Sequence, residues 1–174
     1  TNISFASFKK CKMNYTIFSE AIGHEGKFNE CISKESSFNQ FEGCKTDFTR
    51  SCLTKSTFID AHIEDGKFVE ITGNESDFSK CKGSNVDFTK SDLTKSKFVE
   101  SIIEEGIFVE ITGNESDFSK CTGSNVDFTK SDLTKSKFIK AKLQDANFLN
   151  ADLTNADLTN ANLTNADLTN ANLT

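Results

Sequence analysis

No proline and no tryptophan occur in this sequence of 174 residues, methionine and tyrosine occur once each, and no apolar run exceeds three residues. The short runs exclude a transmembrane helix, which needs about 20 apolar residues in succession, and also the apolar centre of a signal peptide. There is no excess of positive charge. With 26 acidic and 20 basic side chains the net charge is -6, which argues against direct nucleic-acid binding and leaves proteins as the expected partners. The six cysteines, Cys11, Cys31, Cys44, Cys52, Cys81 and Cys121, include no CxxC pair or finger spacing, so the common zinc modules are excluded. The length fits a single domain over residues 1–174.

What the sequence has is a period. The closing stretch ADLTNADLTNANLTNADLTNANLT repeats every five residues, and the same frame runs back through the whole chain. Every residue whose number ends in 8, from Phe8 to Phe148, is phenylalanine. The unit centres fall at numbers ending in 3 or 8, and two places before each, at numbers ending in 1 or 6, the residue is usually small: Ala6, Cys11, Ala21, Ser36, Ser51, Ala61, Ser91, Ala141. All 46 Asp, Glu, Lys and Arg side chains avoid numbers ending in 1, 3, 6 or 8, as expected if those positions are buried. A period of five fits neither an amphipathic helix nor a flat strand, but it fits a coil that turns a corner every five residues.

ADLTN, VDFTK and SDLTK match the motif of the pentapeptide-repeat family, and the chain resembles that family over nearly its full length. The resemblance implies an all-β fold, a right-handed quadrilateral β-helix with about 20 residues per coil. The tail then reads as regular coils with Leu153, Leu158, Leu163, Leu168 and Leu173 inside, and not as a disordered segment. Independent support comes from a 40-residue repeat, FVEITGNESDFSKC at 68–81 and again at 108–121, which is two such coils. Sorting by twenties predicts two phenylalanine ladders, with coils stacked at about 4.8 Å. On the remaining faces glycine is matched by a larger residue: Gly43 with Leu53, Ile63 with Gly73, Gly83 with Leu93, Ile103 with Gly113, Gly123 with Leu133. Where the centre is glycine, the small position can enlarge, as at Phe41, Ile71 and Ile111. Residues 21–40 break this rule, with Gly23 and Ser33 as centres. There the sequence predicts a bulge or slip that turns Ile22 and Ile32 inward.

Three surface features invite a functional reading. His24, Cys44 and Glu64 lie at 20-residue spacing with His62 beside them, a combination able in principle to form a nucleophile or soft-metal site. A repeat surface makes such triplets by accident, so a solvated face is the expectation: no enzyme, catalytic residue, metal or cofactor. Cys11 and Cys31 occupy equivalent inward positions in adjacent coils, where parallel side-chain directions oppose a disulfide, and reduced thiols favour a cytoplasmic setting. Ile102, Ile107 and Val109 form a candidate apolar patch for a protein partner.

The family resemblance also brings an alternative, a DNA-mimic modulator of DNA gyrase or topoisomerase of the quinolone-resistance type. Sorted by face, the charges sum to -4 on the face of Glu25, Glu42, Glu64, Asp65, Glu104, Glu105 and Asp145, and to 0, -1 and -1 elsewhere. Duplex DNA as long as this rod carries on the order of 25 negative charges. A non-enzymatic scaffold or protein-interaction module is therefore the leading expectation. With no segment to cover the coil edges, end-to-end self-association is expected too.

Overall fold

The computed structural model describes residues 1–174, and its units of five follow one plan with two forms of turn. An outward residue pairs with its equivalents 20 residues away, the next residue points inward, and a turn follows. Four units close one coil. On one side the pairing is continuous enough to form short strands: β1 (Glu42–Cys44), β2 (His62–Glu64), β3 (Lys82–Ser84), β4 (Ile102–Glu104), β5 (Thr122–Ser124) and β6 (Lys142–Gln144), a parallel sheet in sequence order. The other three sides carry single parallel bridges in the same 20-residue register, from Ser7↔Lys27 to Asp152↔Asn172. The molecule is thus an all-β quadrilateral solenoid, and it contains no helix of a length or apolarity to cross a membrane.

The corner explains the unit's last letter. Every residue from Phe5 to Asn170 whose number ends in 5 or 0 has φ between 50° and 62°, the left-handed region that L side chains rarely enter. Asn tolerates it best after glycine, and the tail uses Asn155, Asn160, Asn165 and Asn170 there. None of the nine glycines has positive φ. All nine are at inward positions, so glycine serves volume here and not backbone freedom. The unit's Asp or Asn has a local role as well. Its Oδ1 accepts the backbone N–H two residues on, as in Asp87 to Thr89 at 2.8 Å and Asp152 to Thr154 at 2.9 Å, which fastens the turn.

Inside, the two phenylalanine ladders run as the spacing predicts. Rings stack along each ladder, for example Phe28 on Phe48 at 4.6 Å and Phe38 on Phe58 at 4.7 Å between centroids. Rings of opposite ladders meet edge to face, as Phe48 and Phe58 do at 5.6 Å and 86°. Both arrangements suit the ring quadrupole. The core is buried throughout the middle coils, while Phe8 and Phe18 at one end and Leu158, Leu163 and Leu168 at the other are only partly covered.

The inward serines do more than save space. Ser91 Oγ donates to the Phe68 carbonyl at 2.6 Å and accepts the Ile71 N–H at 3.1 Å, splicing itself into a turn of the preceding coil. Ser131 repeats this with Phe108 and Ile111 at 2.5 and 3.2 Å. Ser76 Oγ and Cys81 Sγ likewise donate to the carbonyls 23 residues back, at 2.6 and 2.7 Å. The hydroxyl or thiol satisfies a buried carbonyl that alanine would leave with one fewer donor. Cys11 and Cys31 are free thiols. Cys31 donates to the Phe8 carbonyl, and burial raises its pKa.

The expected distortion at residues 21–40 does not occur. Ile22 and Ile32 keep their regular bridges, Ile22 half-buried and Ile32 36 % exposed. The vacancy is filled from the next coil instead. The ring of Phe41 lies where a Gly23 side chain would be, and a Cβ on Gly43 would come within 2.6 Å of the same ring. One aromatic side chain thus occupies two stacked glycine positions, and turning isoleucines inward would have overfilled the coil. The volume rule operates between coils as well as within them.

Candidate interaction surface

Of the sequence candidates, His24, Cys44 and Glu64 do line one shallow surface groove, together with Glu42, Gly43 and His62. The polar contacts there are already committed. Nδ1 of His24 accepts the backbone N–H of Cys44 at 3.1 Å, and His62 Nε2 meets Glu64 Oε1 at 3.2 Å. The Cys44 thiol makes no hydrogen bond to either histidine in this arrangement, and no three His, Cys, Asp or Glu side chains have the geometry to hold a metal ion. The groove is two separate local pairs on a pleated face.

Ile102 and Ile107 lie on adjacent sides of one coil, 39 % and 36 % exposed, with the Glu104–Glu105 corner between them. Val109 is half-buried beyond Phe108 and adds a lesser apolar edge. Each isoleucine has polar neighbours above and below it in its column. Ile102 stacks between Lys82 and Thr122. Ile107 stacks between Asp87 and Asp127, in a column that otherwise runs Lys27, Asp47, Lys67, Asp87. That column alternates in sign until Ile107 stands where the next lysine would come.

Elsewhere, alternation gives ion pairs between coils: Arg50 with Glu70 at 2.7 Å, Lys90 with Glu110 at 3.8 Å, Lys95 with Glu115 at 3.8 Å, Lys120 with Glu100 at 2.8 Å. The guanidinium of Arg50 holds the Glu70 carboxyl below its usual range, and Lys120 does the same for Glu100. These pairs are exposed and favour register more than stability.

Sequence reasoning missed a feature beside Ile102. The coil at residues 81–87 carries a small apolar cavity of about 30 Å³, lined by Ile63, Cys81, Gly83, Val86, Ile103 and Gly106 with ladder phenylalanines behind. Gly83 and Val86 are only half-buried, so the cavity reaches the surface as a notch. In the equivalent coil Gly123 is buried and Val126 is 0 % exposed. The flanks differ: Val86 is stacked between Gly66 and Gly106, Val126 between Gly106 and Ala146. A sequence signal was available in that column of Gly66, Val86 and Gly106, two missing side chains around one small one.

The family model described as Pentapeptide repeats matches residues 136–174 in eight copies, and that of the SV2A/B/C luminal domain matches residues 85–148. No curated protein matches the sequence. Among solved structures, HetL, a pentapeptide repeat protein involved in heterocyst differentiation regulation from the cyanobacterium Nostoc sp. strain PCC 7120, is 14 % identical over 98 % of this chain and 89 % of its own, with a TM-score of 0.43. A trypsin-treated form of QnrB1, a plasmid-mediated fluoroquinolone resistance protein, is 16 % identical over 99 % of this chain and 91 % of its own, with a TM-score of 0.47. A pentapeptide repeat protein from the Arabidopsis thaliana thylakoid lumen is 15 % identical over 66 % of each chain, with a TM-score of 0.30.

Proposed function

From the premise that this chain is a pentapeptide-repeat protein, we propose that it acts as a non-enzymatic scaffold, presenting one side of a rigid solenoid to a protein partner. The observation that carries this reading is the pair of exposed isoleucines, Ile102 and Ile107, on adjacent sides of one coil, each with polar neighbours above and below in its column. An isoleucine standing where the column's alternation would place a lysine leaves no cation between Asp87 and Asp127 and exposes apolar surface, which supports an external use. Rigidity supports the same reading. Outside the first and last coils, the backbone of each unit is hydrogen-bonded to the coils on both of its edges, and a pre-ordered surface loses little entropy on binding.

The alternative is modulation of gyrase or topoisomerase by DNA mimicry. It asks for a continuous negative face, whereas Lys or Arg recurs at every second coil in the corner columns of Arg50, Lys90 and Lys130 and of Lys55, Lys95 and Lys135. The scaffold reading is tested by affinity capture from the source cell with the wild-type chain and Ile107→Lys. A saturable partner captured by the wild type and lost with the variant is expected. The reading is overturned if no saturable partner is captured, and a change in gyrase supercoiling with or without a quinolone would move the assignment to the alternative.

A further inference from the structure

We propose that the side of the solenoid built from residues 51–54, 71–74, 91–94 and 111–114 docks a second copy of this chain, laid against it antiparallel. The two corners bordering this side are charged in step. One corner column runs Glu30, Arg50, Glu70, Lys90, Glu110, Lys130. The other runs Glu35, Lys55, Glu75, Lys95, Glu115, Lys135. Each coil therefore shows two like charges, and the sign reverses from coil to coil. Lys34, Asp92 and Asp132 lie within the side and weaken the sign of their coils without reversing it. The adjoining sides have no such bands. On one, Lys27, Asp47 and Lys67 oppose the corners beside them; on the other the corners oppose each other, as Lys55 and Asp60 or Glu75 and Lys80 do.

The ion pairs between coils do not use these charges up. All run along a corner, and the paired side chains stay between 41 % and 64 % exposed. Between the corners the surface is short and tied down. Thr54 Oγ1 donates to Asn74 Oδ1 at 2.8 Å, Thr94 Oγ1 to Asn114 Oδ1 at 3.2 Å, and Asn114 Nδ2 to Asp132 Oδ2 at 2.8 Å. No long side chain there holds a second copy away from the corners.

The alternation selects the arrangement. Two parallel copies in register set every coil against its equivalent, like charge on like, and an antiparallel pair whose two-fold axis crosses a coil does the same. A parallel copy shifted by one coil matches signs but does not close. With the two-fold axis between the coils of Glu70 and Lys90, Glu70 and Glu75 face Lys90 and Lys95, Arg50 and Lys55 face Glu110 and Glu115, and Glu30 and Glu35 face Lys130 and Lys135. Every band then meets its opposite, and the wrong registers are repelled. So narrow a face belongs to the weak interfaces burying less than about 1,200 Å² in total. Ile102 lies on the opposite side and Ile107 on an adjoining one, so the pair would present two copies of that patch.

The test is sedimentation of the full chain at up to about 1 mM, a concentration that reaches weak pairing, joined to zero-length amine-to-carboxylate cross-linking and peptide mapping. At low salt a monomer–dimer equilibrium that stops at the dimer is expected, and about 1 M salt, where screening acts within about 3 Å, should dissolve it. Cross-links should join Lys55 to Glu115 and Lys135 to Glu35. These residues are 60 and 100 positions apart, hence three and five coils, about 14 and 24 Å within one chain at about 4.8 Å per coil, so the links form only between copies. A charge swap decides the register. Glu75→Lys with Glu115→Lys, and separately Lys55→Glu with Lys95→Glu, should each weaken self-pairing about tenfold or more, and mixing the two variants should restore a dimer, which also shows that both are folded. Lys142→Glu, on the opposite side, should leave pairing unchanged. A strict monomer, association indifferent to salt, growth beyond the dimer, or no rescue on mixing would overturn the face. Capture of a partner through Ile107 reads another surface, so this proposal and the scaffold reading can fail separately.

Discussion

Residues 83–98 and 123–138 are identical letter for letter, and so are 68–81 and 108–121, yet one copy carries a surface notch and the other is closed. Val86 is half-buried where Val126 is fully buried, and Cys81 is 9 % exposed where Cys121 is 0 %. Within the stretch that bounds the notch the copies differ only at Lys82, which lines it, against Thr122, so apart from that side chain the difference belongs to the coils stacked on them. Ile63 and Ile103 flank Gly83, and Gly66 and Gly106 flank Val86. Ile103 and Leu143 flank Gly123, and Gly106 and Ala146 flank Val126. In a solenoid, a residue's environment is set by positions 20 before and 20 after it, and a missing methyl there opens a void that sequence neighbours cannot close.

Phe41 marks the opposite extreme, a glycine vacancy filled completely. Phe41→Ala should reopen the space at both Gly23 and Gly43 and lower stability by about 3–5 kcal/mol, the largest effect expected of any change at a glycine-compensating position. Thermal or urea unfolding measures it, and a loss under about 1 kcal/mol would mean that Ile22 or Ile32 can after all turn inward.

Away from the notch the two copies should behave alike. Ser91→Ala and Ser131→Ala each remove a donor from a phenylalanine carbonyl and an acceptor from an isoleucine N–H, so each should cost about 1–3 kcal/mol. The two losses should agree within about 0.5 kcal/mol. A larger gap would show that the difference spreads beyond the corner at 81–87.

The thiols give a finer comparison. Burial pushes the Cys121 thiol up to about 12 and raises that of Cys81 as well, so neither forms appreciable thiolate at neutral pH. Both should label far more slowly with a maleimide than the partly exposed Cys44 and Cys52, and raising the pH to 9 should not change that order. Cys81, at the notch, should still label sooner than Cys121. Peptide mapping of the labelled protein decides it.

Much of the fold was legible because the inward positions carry no charge and recur without a slip from Ala6 to Leu173. The phenylalanine ladders followed from a single digit of the residue number. What escaped was of two kinds. The serines were read only as small, because hydrogen bonding to a carbonyl 23 residues back depends on how coils stack. The fate of Gly23 was misjudged because volume was balanced within one coil, whereas Phe41 crosses into its neighbour. At the surface, Ile102 and Ile107 could be picked out as apolar letters in polar columns. The notch beside them is legible only when the sequence is read across coils, since it results from Gly66 and Gly106 acting together on Val86.

The claim that stacked neighbours, and not local sequence, decide whether a coil closes is tested most directly by adding one methylene at the two equivalent valines. Val86→Ile should enter open space and leave the melting temperature unchanged or raised, with up to about 0.8 kcal/mol gained if the added group is covered. Val126→Ile should overpack a filled site and lose about 1–3 kcal/mol. Equal losses in both variants, or a greater loss at Val86, would contradict the account.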